Sequence, residues 1–60
     1  MPLHKAKYND IINEEIIEFF TDASQDFVTS LEFTGEWYHA KQILESCDYK
    51  VIERIEGCFN

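Results

Sequence analysis

The sequence predicts a small α+β domain of two layers, with its elements in the order helix, strand, helix, strand. Apolar residues recur with helical spacing over residues 10–23, and they alternate with period two over residues 27–33. The same two patterns then recur over residues 36–47 and 49–57. Sixty residues, 45 % of them hydrophobic, predict a single domain spanning residues 1–60 with one core.

The first predicted helix follows a loosely ordered N-terminal arm, residues 1–8, that carries Lys5 and Lys7. Asn9 or Asp10 offers the N-cap of this helix. At 100° per residue, one third of the helix circumference holds the apolar stripe Ile12, Ile16, Phe19, Phe20 and Ala23. The acidic residues lie on the far side, so the pattern predicts an amphipathic helix with an anionic outer face.

The remaining elements follow from the same reading of periodicity. Residues 23–26 (ASQD) predict a turn, and residues 27–33 (FVTSLEF) predict a strand rich in β-branched and aromatic residues. A second helix is predicted over residues 36–47, followed by a strand over residues 49–57. Glu53 falls on the same side as Val51 and Ile55, so a helical continuation there is the alternative. Adjacent parallel strands would make a right-handed βαβ crossover.

A sheet of two strands is marginal alone, which favours dimerisation through a strand edge or across the sheet. The domain is also small enough that core burial barely offsets conformational entropy. We therefore expect a partner, either a second copy of the chain or another protein.

Net charge excludes several classes of function. Twelve acids against five bases give −7, and such a chain is repelled by nucleic acid phosphates and by anionic membranes. We therefore expect no direct nucleic acid binding and no membrane binding. The sequence contains no run of eighteen apolar residues, and no apolar segment follows the N-terminal lysines. These features predict a cytoplasmic protein.

No motif predicts an enzyme or a cofactor. The only glycines are Gly35 and Gly57, so phosphate-binding and dinucleotide-binding glycine motifs are absent. The histidines and cysteines have no zinc-ligand spacing. His39 and Cys47 are about 12 Å apart along the predicted helix, too far for a direct hydrogen bond. We expect reduced thiols at Cys47 and Cys58, and a redox protein using both is a remote alternative.

The acidic residues are concentrated in one part of the chain. Residues 9–36 contain eight acids and no base. Three of them, Glu14, Glu18 and Asp22, are spaced by four, which predicts a carboxylate about every 6 Å along one helix edge. A groove that binds successive phosphates would accept such a row. The predicted partner-binding residues are these acids and one exposed aromatic residue: Asp10, Glu14, Glu15, Glu18, Asp22, Asp26, Glu32, Glu36 and Tyr38.

This charge pattern predicts a small non-enzymatic inhibitor, a nucleic acid mimic that blocks a basic, nucleic-acid-handling protein. Small acidic accessory proteins of phages and mobile elements have this kind of composition. The alternative is a homo-oligomeric structural or assembly factor whose acids serve only solubility. Its subunit contact would use the apolar residues left over by the predicted core, namely Ile11, Ile17, Val28 and Ile52.

Overall fold

A computed structural model describes residues 2–53 of the chain. Its elements are β1 (His4–Asp10), β2 (Glu15–Thr21), α1 (Gln25–Ser30), a 3-10 helix (Leu31–Thr34), α2 (Trp37–Ser46) and β3 (Val51–Glu53). The strands form one antiparallel sheet in the order β1-β2-β3. The mixed α+β class is confirmed. The element order differs from the predicted one, and both strand pairs described in residues 2–53 are antiparallel.

The segment predicted as the first helix forms a hairpin turn and strand β2. Doublets of isoleucine and phenylalanine in this segment satisfy both a period of 3.6 and a period of 2, so periodicity alone does not separate the two structures. Pairing with β1 decides between them, in a register that runs from His4 opposite Thr21 to Asp10 opposite Glu15. β-Branched and aromatic side chains then suit the pleated surface.

The predicted N-terminal arm is wrong from residue 4 onward, because His4–Asp10 is strand β1. Ala6 and Tyr8 point into the core, while Lys5 and Lys7 point to the other side of the sheet. The alternation is present in the sequence, but its inward positions include a small alanine and a charged aspartate. Neither residue type contributes a strong hydrophobic signal, so the strand is easy to overlook.

The strand predicted over residues 27–33 is also wrong, since that segment completes α1 and forms the 3-10 helix. The Ser24 hydroxyl accepts a hydrogen bond from the Phe27 N–H at 3.1 Å and caps α1. Val28 and Leu31, three residues apart, are both buried, as helical spacing requires. Gly35 ends the 3-10 helix with a φ of 78°, a left-handed conformation that favours glycine.

Helix α2 confirms the prediction of a helix over residues 36–47. Its buried face consists of Trp37, Ala40 and Leu44. It ends in a Schellman motif, in which the Asp48 N–H donates to the Glu45 carbonyl at 3.1 Å and the Tyr49 N–H donates to the Leu44 carbonyl at 3.0 Å. Asp48 takes the left-handed position of this motif, with a φ of 70°.

The predicted strand over residues 49–57 is confirmed for Val51–Glu53, which pairs antiparallel with β2. The rest of that prediction, from residue 54 onward, lies outside the described residues. Within residues 2–53, no helix is long and apolar enough to cross a membrane.

The core lies between the sheet and the helices. The buried hydrophobic residues are Ala6, Tyr8, Phe19, Ala23, Val28, Leu31, Trp37, Ala40 and Leu44. Trp37 is central, with its ring 4.5 Å from that of Phe19 and 5.6 Å from that of Tyr8, measured between centroids. Such aromatic pairs add specific geometry to apolar burial.

The opposite side of the sheet is not covered by any element of residues 2–53. We call it the open face, and its residues are Lys5, Lys7, Asn9, Ile16, Glu18, Phe20 and Ile52. Ile16 is 65 % exposed and Ile52 is 53 % exposed. The described part of the chain is accordingly thin, only 17 Å along its shortest axis.

Candidate partner-binding surface

Asp10 is buried at the junction of the hairpin and α2. One carboxylate oxygen accepts from the Asn13 N–H at 2.9 Å, and the other accepts from the Asn13 side-chain amide and from the Trp37 N–H, both at 3.0 Å. The carboxylate therefore caps the hairpin turn and the first turn of α2 together. Only 2 % of the residue is exposed. Its role is structural, and it offers no surface to a partner in this conformation.

Hydrogen bonding lowers the pKa of Asp10 below its ordinary value of 3.8. The Asn13 N–H is the largest cause, followed by the Asn13 side-chain amide; burial opposes them, and the Trp37 N–H adds to the lowering. Donors aimed at a carboxylate favour its charged form. The positive end of the α2 dipole suits the same charge. Asp10 is thus held ionised where the two segments meet.

The hairpin tip presents two exposed acids, Glu14 and Glu15. The tip is fastened to the connection before α2, because the Ile12 N–H donates to the Gly35 carbonyl at 3.0 Å. Glu14 has a φ of 56°, a left-handed conformation that is strained for a residue with a side chain. The tip is therefore a positioned anionic projection and not a free loop.

The outer edge of β1 is hydrogen-bonded to side chains of α1 and of the 3-10 helix. The Gln25 amide accepts from the Lys7 N–H and donates to the Lys7 carbonyl, both at 3.0 Å. A Glu32 carboxylate oxygen accepts from the Asn9 N–H at 3.1 Å. Satisfied edge groups discourage strand addition. Dimerisation through this edge, as the sequence suggested, would first have to displace Gln25 and Glu32.

The predicted row of carboxylates along a helix edge is wrong, since its members lie in a turn, in strand β2 and after it. Glu18 lies on the open face, with its oxygens 3.9 Å from the ammonium groups of Lys5 and Lys7. An Asp22 carboxylate oxygen accepts from the Lys50 N–H at 3.0 Å. Both acids therefore have local partners in the fold.

Two of the predicted acids, Asp26 and Glu36, lie near the N-termini of α1 and α2. Asp26 is exposed in the first turn of α1. Glu36, at the N-terminus of α2, lies 3.3 Å from the His39 ring nitrogen. The exposed acids among the predicted set are thus Glu14, Glu15 and Asp26, from the hairpin tip and from α1.

Tyr38 lies on the exposed side of α2, with 60 % of its surface accessible. Its hydroxyl accepts from the Gln42 amide at 3.0 Å. Beside this side of α2 is an open groove of about 380 Å³, lined by Phe33, Thr34, His39, Gln42, Ile43 and Ser46. Phe33 is 80 % exposed. Tyrosine is among the residue types enriched at binding hot spots, and phenylalanine is among those enriched in interfaces generally.

The potential metal-ligating side chains of residues 2–53 are dispersed. Within that range no three His, Cys, Asp or Glu side chains are grouped so that they could hold a metal ion. Cys47 is a free, exposed thiol, and Cys58 lies outside the described residues.

The Lys41 ammonium, 2.5 Å from a Glu53 carboxylate oxygen, ties α2 to β3. The hydrogen bond and the negative charge of Glu53 raise the pKa of Lys41.

The open face was not predicted from the sequence. The sequence does contain the alternation that places these residues on one face of a sheet. It is seen at Lys5 and Lys7 in one strand and at Ile16, Glu18 and Phe20 in the next. It was hidden because the second segment also has helical periodicity. Among the apolar residues expected at a subunit contact, Ile52 and Ile11 are exposed, Ile17 is partly buried, and Val28 is in the core.

No family model matches the sequence, and no curated protein or solved structure matches the chain.

Proposed function

We propose that this chain is a small acidic, cytoplasmic, non-enzymatic binding protein that inhibits a basic, nucleic-acid-handling protein, in the manner of phage or mobile-element accessory proteins. The observation that carries the proposal is the segregation of charge. Residues 9–36 hold eight acids and no base in a chain of net charge −7. A chain selected only for solubility has no need to separate its acids from its bases.

The surface that we propose for this contact is narrower than the nine residues expected from the sequence. Asp10 is buried, while Glu18, Asp22, Glu32 and Glu36 have partners within the fold. The exposed acids Glu14, Glu15 and Asp26 are the ones with most freedom to contact a partner. Tyr38, which is exposed on α2, is the proposed aromatic anchor.

The proposed inhibition is competition for a surface that evolved to bind phosphates. A nucleic-acid-binding groove is lined by lysine and arginine side chains, and carboxylates pair with the same groups. Attraction between opposite net charges speeds the encounter and weakens as salt is added. Inhibition of this kind needs no catalytic residue and no cofactor.

The proposal is tested by capture from a lysate of the cell in which the protein acts, at low and at high salt, with mass spectrometry of what is released. We expect a basic protein that is retained at low salt and released at high salt. Binding of that purified partner is then measured for Glu15→Gln/Asp26→Asn, with Glu45→Gln/Asp48→Asn as control. Both double variants lose one glutamate and one aspartate from exposed positions, but only the first pair lies in residues 9–36.

We expect the first double variant to bind at least about tenfold more weakly, since each lost charge pair contributes on the order of 1 kcal/mol. The control should stay within about twofold of the unaltered protein. Equal losses in the two variants would show that net charge alone matters and that the acidic segment is not a site. Binding that does not change with salt would contradict the proposal altogether.

The alternative, a homo-oligomeric structural or assembly factor, is favoured by one specific observation. Ile16 and Ile52 are exposed on the open face, where apolar side chains would gain from being covered. An oligomer whose activity survives loss of the exposed acids would favour this alternative over the inhibitor. Self-association by itself would not, because an inhibitor can also be a dimer.

A further inference from the structure

We infer that the open face is the contact surface for a second copy of this chain, which packs sheet against sheet in a symmetric dimer. The inference is independent of the proposed inhibitor function, because it concerns a different surface and a different partner. It begins with the apolar side chains that β2 and β3 place on this face. Ile16, Phe20 and Ile52 are 65 %, 37 % and 53 % exposed, and Phe20 is paired directly with Ile52.

Charge on the open face selects the partner. Its charged side chains are Lys5, Lys7 and Glu18, two positive and one negative, so the face carries +1 in a chain of −7. A basic protein is repelled here and attracted to the acidic segment instead. Two copies of this chain repel each other overall, and that repulsion is smallest when they approach through faces without net negative charge. The open face is such a surface.

The ion pairs on the open face are compatible with burial. The Glu18 carboxylate is 3.9 Å from both lysine ammonium groups and offsets one of the two positive charges. The lysine stems can cover apolar surface while their charged ends stay at the rim. A twofold axis brings the same patch from each copy together, as an isologous contact requires.

One alternative route to a dimer, through the outer edge of β1, is obstructed. Gln25 makes two hydrogen bonds to the Lys7 backbone, and Glu32 accepts from the Asn9 N–H. A second copy arriving at that edge would have to replace all three bonds with its own. Packing on the open face breaks no hydrogen bond of the sheet.

The area of the face predicts how tight the dimer is. Seven-residue strands span about 23 Å, and three strands span about 14 Å, so each copy contributes a footprint of roughly 300 Å². Two copies therefore bury roughly 600 Å² in total, about half of the lower limit of about 1,200 Å² for stable interfaces. We expect a weak, reversible dimer that forms as concentration rises.

Sedimentation equilibrium over a concentration series tests the inference. As concentration increases, the average molar mass in solution should rise from the 7.1 kDa of one chain toward twice that value. The variant Ile16→Thr/Ile52→Thr keeps β-branched residues in the strands but removes the apolar contact, and it should dissociate at least about tenfold more readily. The control Ile11→Thr/Phe33→Thr removes exposed apolar side chains elsewhere and should behave like the unaltered protein. Circular dichroism verifies that each variant is folded.

A second variant, Lys5→Glu/Lys7→Glu, makes the open face acidic without touching the core. It should abolish self-association at low salt and recover part of it at high salt, since salt screens the repulsion. In the unaltered protein, self-association should strengthen with salt, opposite to binding of a basic partner. A monomer at all concentrations, or equal effects of the open-face and control variants, would overturn the inference and leave the proposed inhibitor function unaffected.

Discussion

The carboxylate of Asp10 accepts a hydrogen bond from the backbone N–H of Trp37, at 3.0 Å and 27 residues away in the chain. Glu36, which precedes α2, makes no capping bond with its own side chain. Asp10 supplies that cap from the end of β1 and also binds the hairpin turn through Asn13. One buried carboxylate therefore joins the first strand to the second helix.

We predict that Asp10→Asn destabilises the protein substantially. The amide has one acceptor oxygen where the carboxylate has two, and its NH₂ group would face N–H donors. A buried N–H left without an acceptor is costly. Thermal unfolding followed by circular dichroism should show a much larger drop in Tm than in the control, Asp26→Asn, which makes the same chemical change at an exposed position. Similar Tm values for the two variants would show that Asp10 does not hold the junction.

The lowered pKa of Asp10 also predicts a specific dependence on pH. Because the folded pKa lies below the ordinary value of 3.8, the folded state binds this proton more weakly than the unfolded state. The stabilisation is therefore complete above that value and is lost as pH falls through the folded pKa. We expect the difference in urea midpoint between the unaltered protein and Asp10→Asn to be constant above about pH 5 and to narrow below about pH 4.

Subtracting the urea midpoint of the variant from that of the unaltered protein cancels the effect of the other carboxylates on stability, since these also gain protons in acid. The same subtraction with Asp26→Asn provides the baseline. A difference that stays constant down to about pH 2 would mean that the pKa of Asp10 is the same in the folded and unfolded states, so that its hydrogen bonds do not favour the charged form.

Periodicity in this sequence is informative where the apolar positions fit only one period. Helix α2 could be predicted because Trp37, Ala40 and Leu44 fit only a helical period, and β3 because it is short and β-branched. The segment over residues 10–23 could not, because its paired isoleucines and phenylalanines fit a strand equally well. There, pairing with β1 overrides the helical signal, and nothing local in the sequence reports that pairing.

The sequence predicts that the candidate surface is acidic, but it does not predict which of its acids are exposed. Counting acids and bases locates the anionic segment directly. Which of those acids reach solvent depends on tertiary contacts: Asp10 is buried by a residue 27 positions away, and Glu32 is held by the backbone of Asn9. Such long-range hydrogen bonds leave no periodic trace in the sequence. The residues that the hydrogen bonds leave exposed, such as Asp26, became evident only from the fold.

We predict that Asp48→Gly stabilises the protein by about 0.5–1 kcal/mol. Asp48 occupies the left-handed position of the Schellman motif, with a φ of 70°, and glycine adopts that conformation without strain. The control Glu45→Gly, inside α2, should destabilise by about 0.5–1 kcal/mol because glycine lowers helix propensity. Urea unfolding measures both changes. Destabilisation by Asp48→Gly would show that its side chain makes a compensating contact.

The hydroxyl of Tyr8 gives the last prediction. It lies in the core, 2.7 Å from the Thr34 hydroxyl, and links β1 to the 3-10 helix. We predict that Tyr8→Phe destabilises the protein by about 1 kcal/mol, because the ring is kept and only this hydrogen bond is lost. Tyr38→Phe is the matched control: its hydroxyl accepts from Gln42 at an exposed position, where water replaces the bond, so its stability should change by less than about 0.5 kcal/mol. In a domain of sixty residues the first change is a large part of the total stability, and it should be visible in a urea titration. Equal and small effects of the two substitutions would mean that water reaches the Tyr8 hydroxyl, and that the 3-10 helix is held to β1 by apolar contact alone.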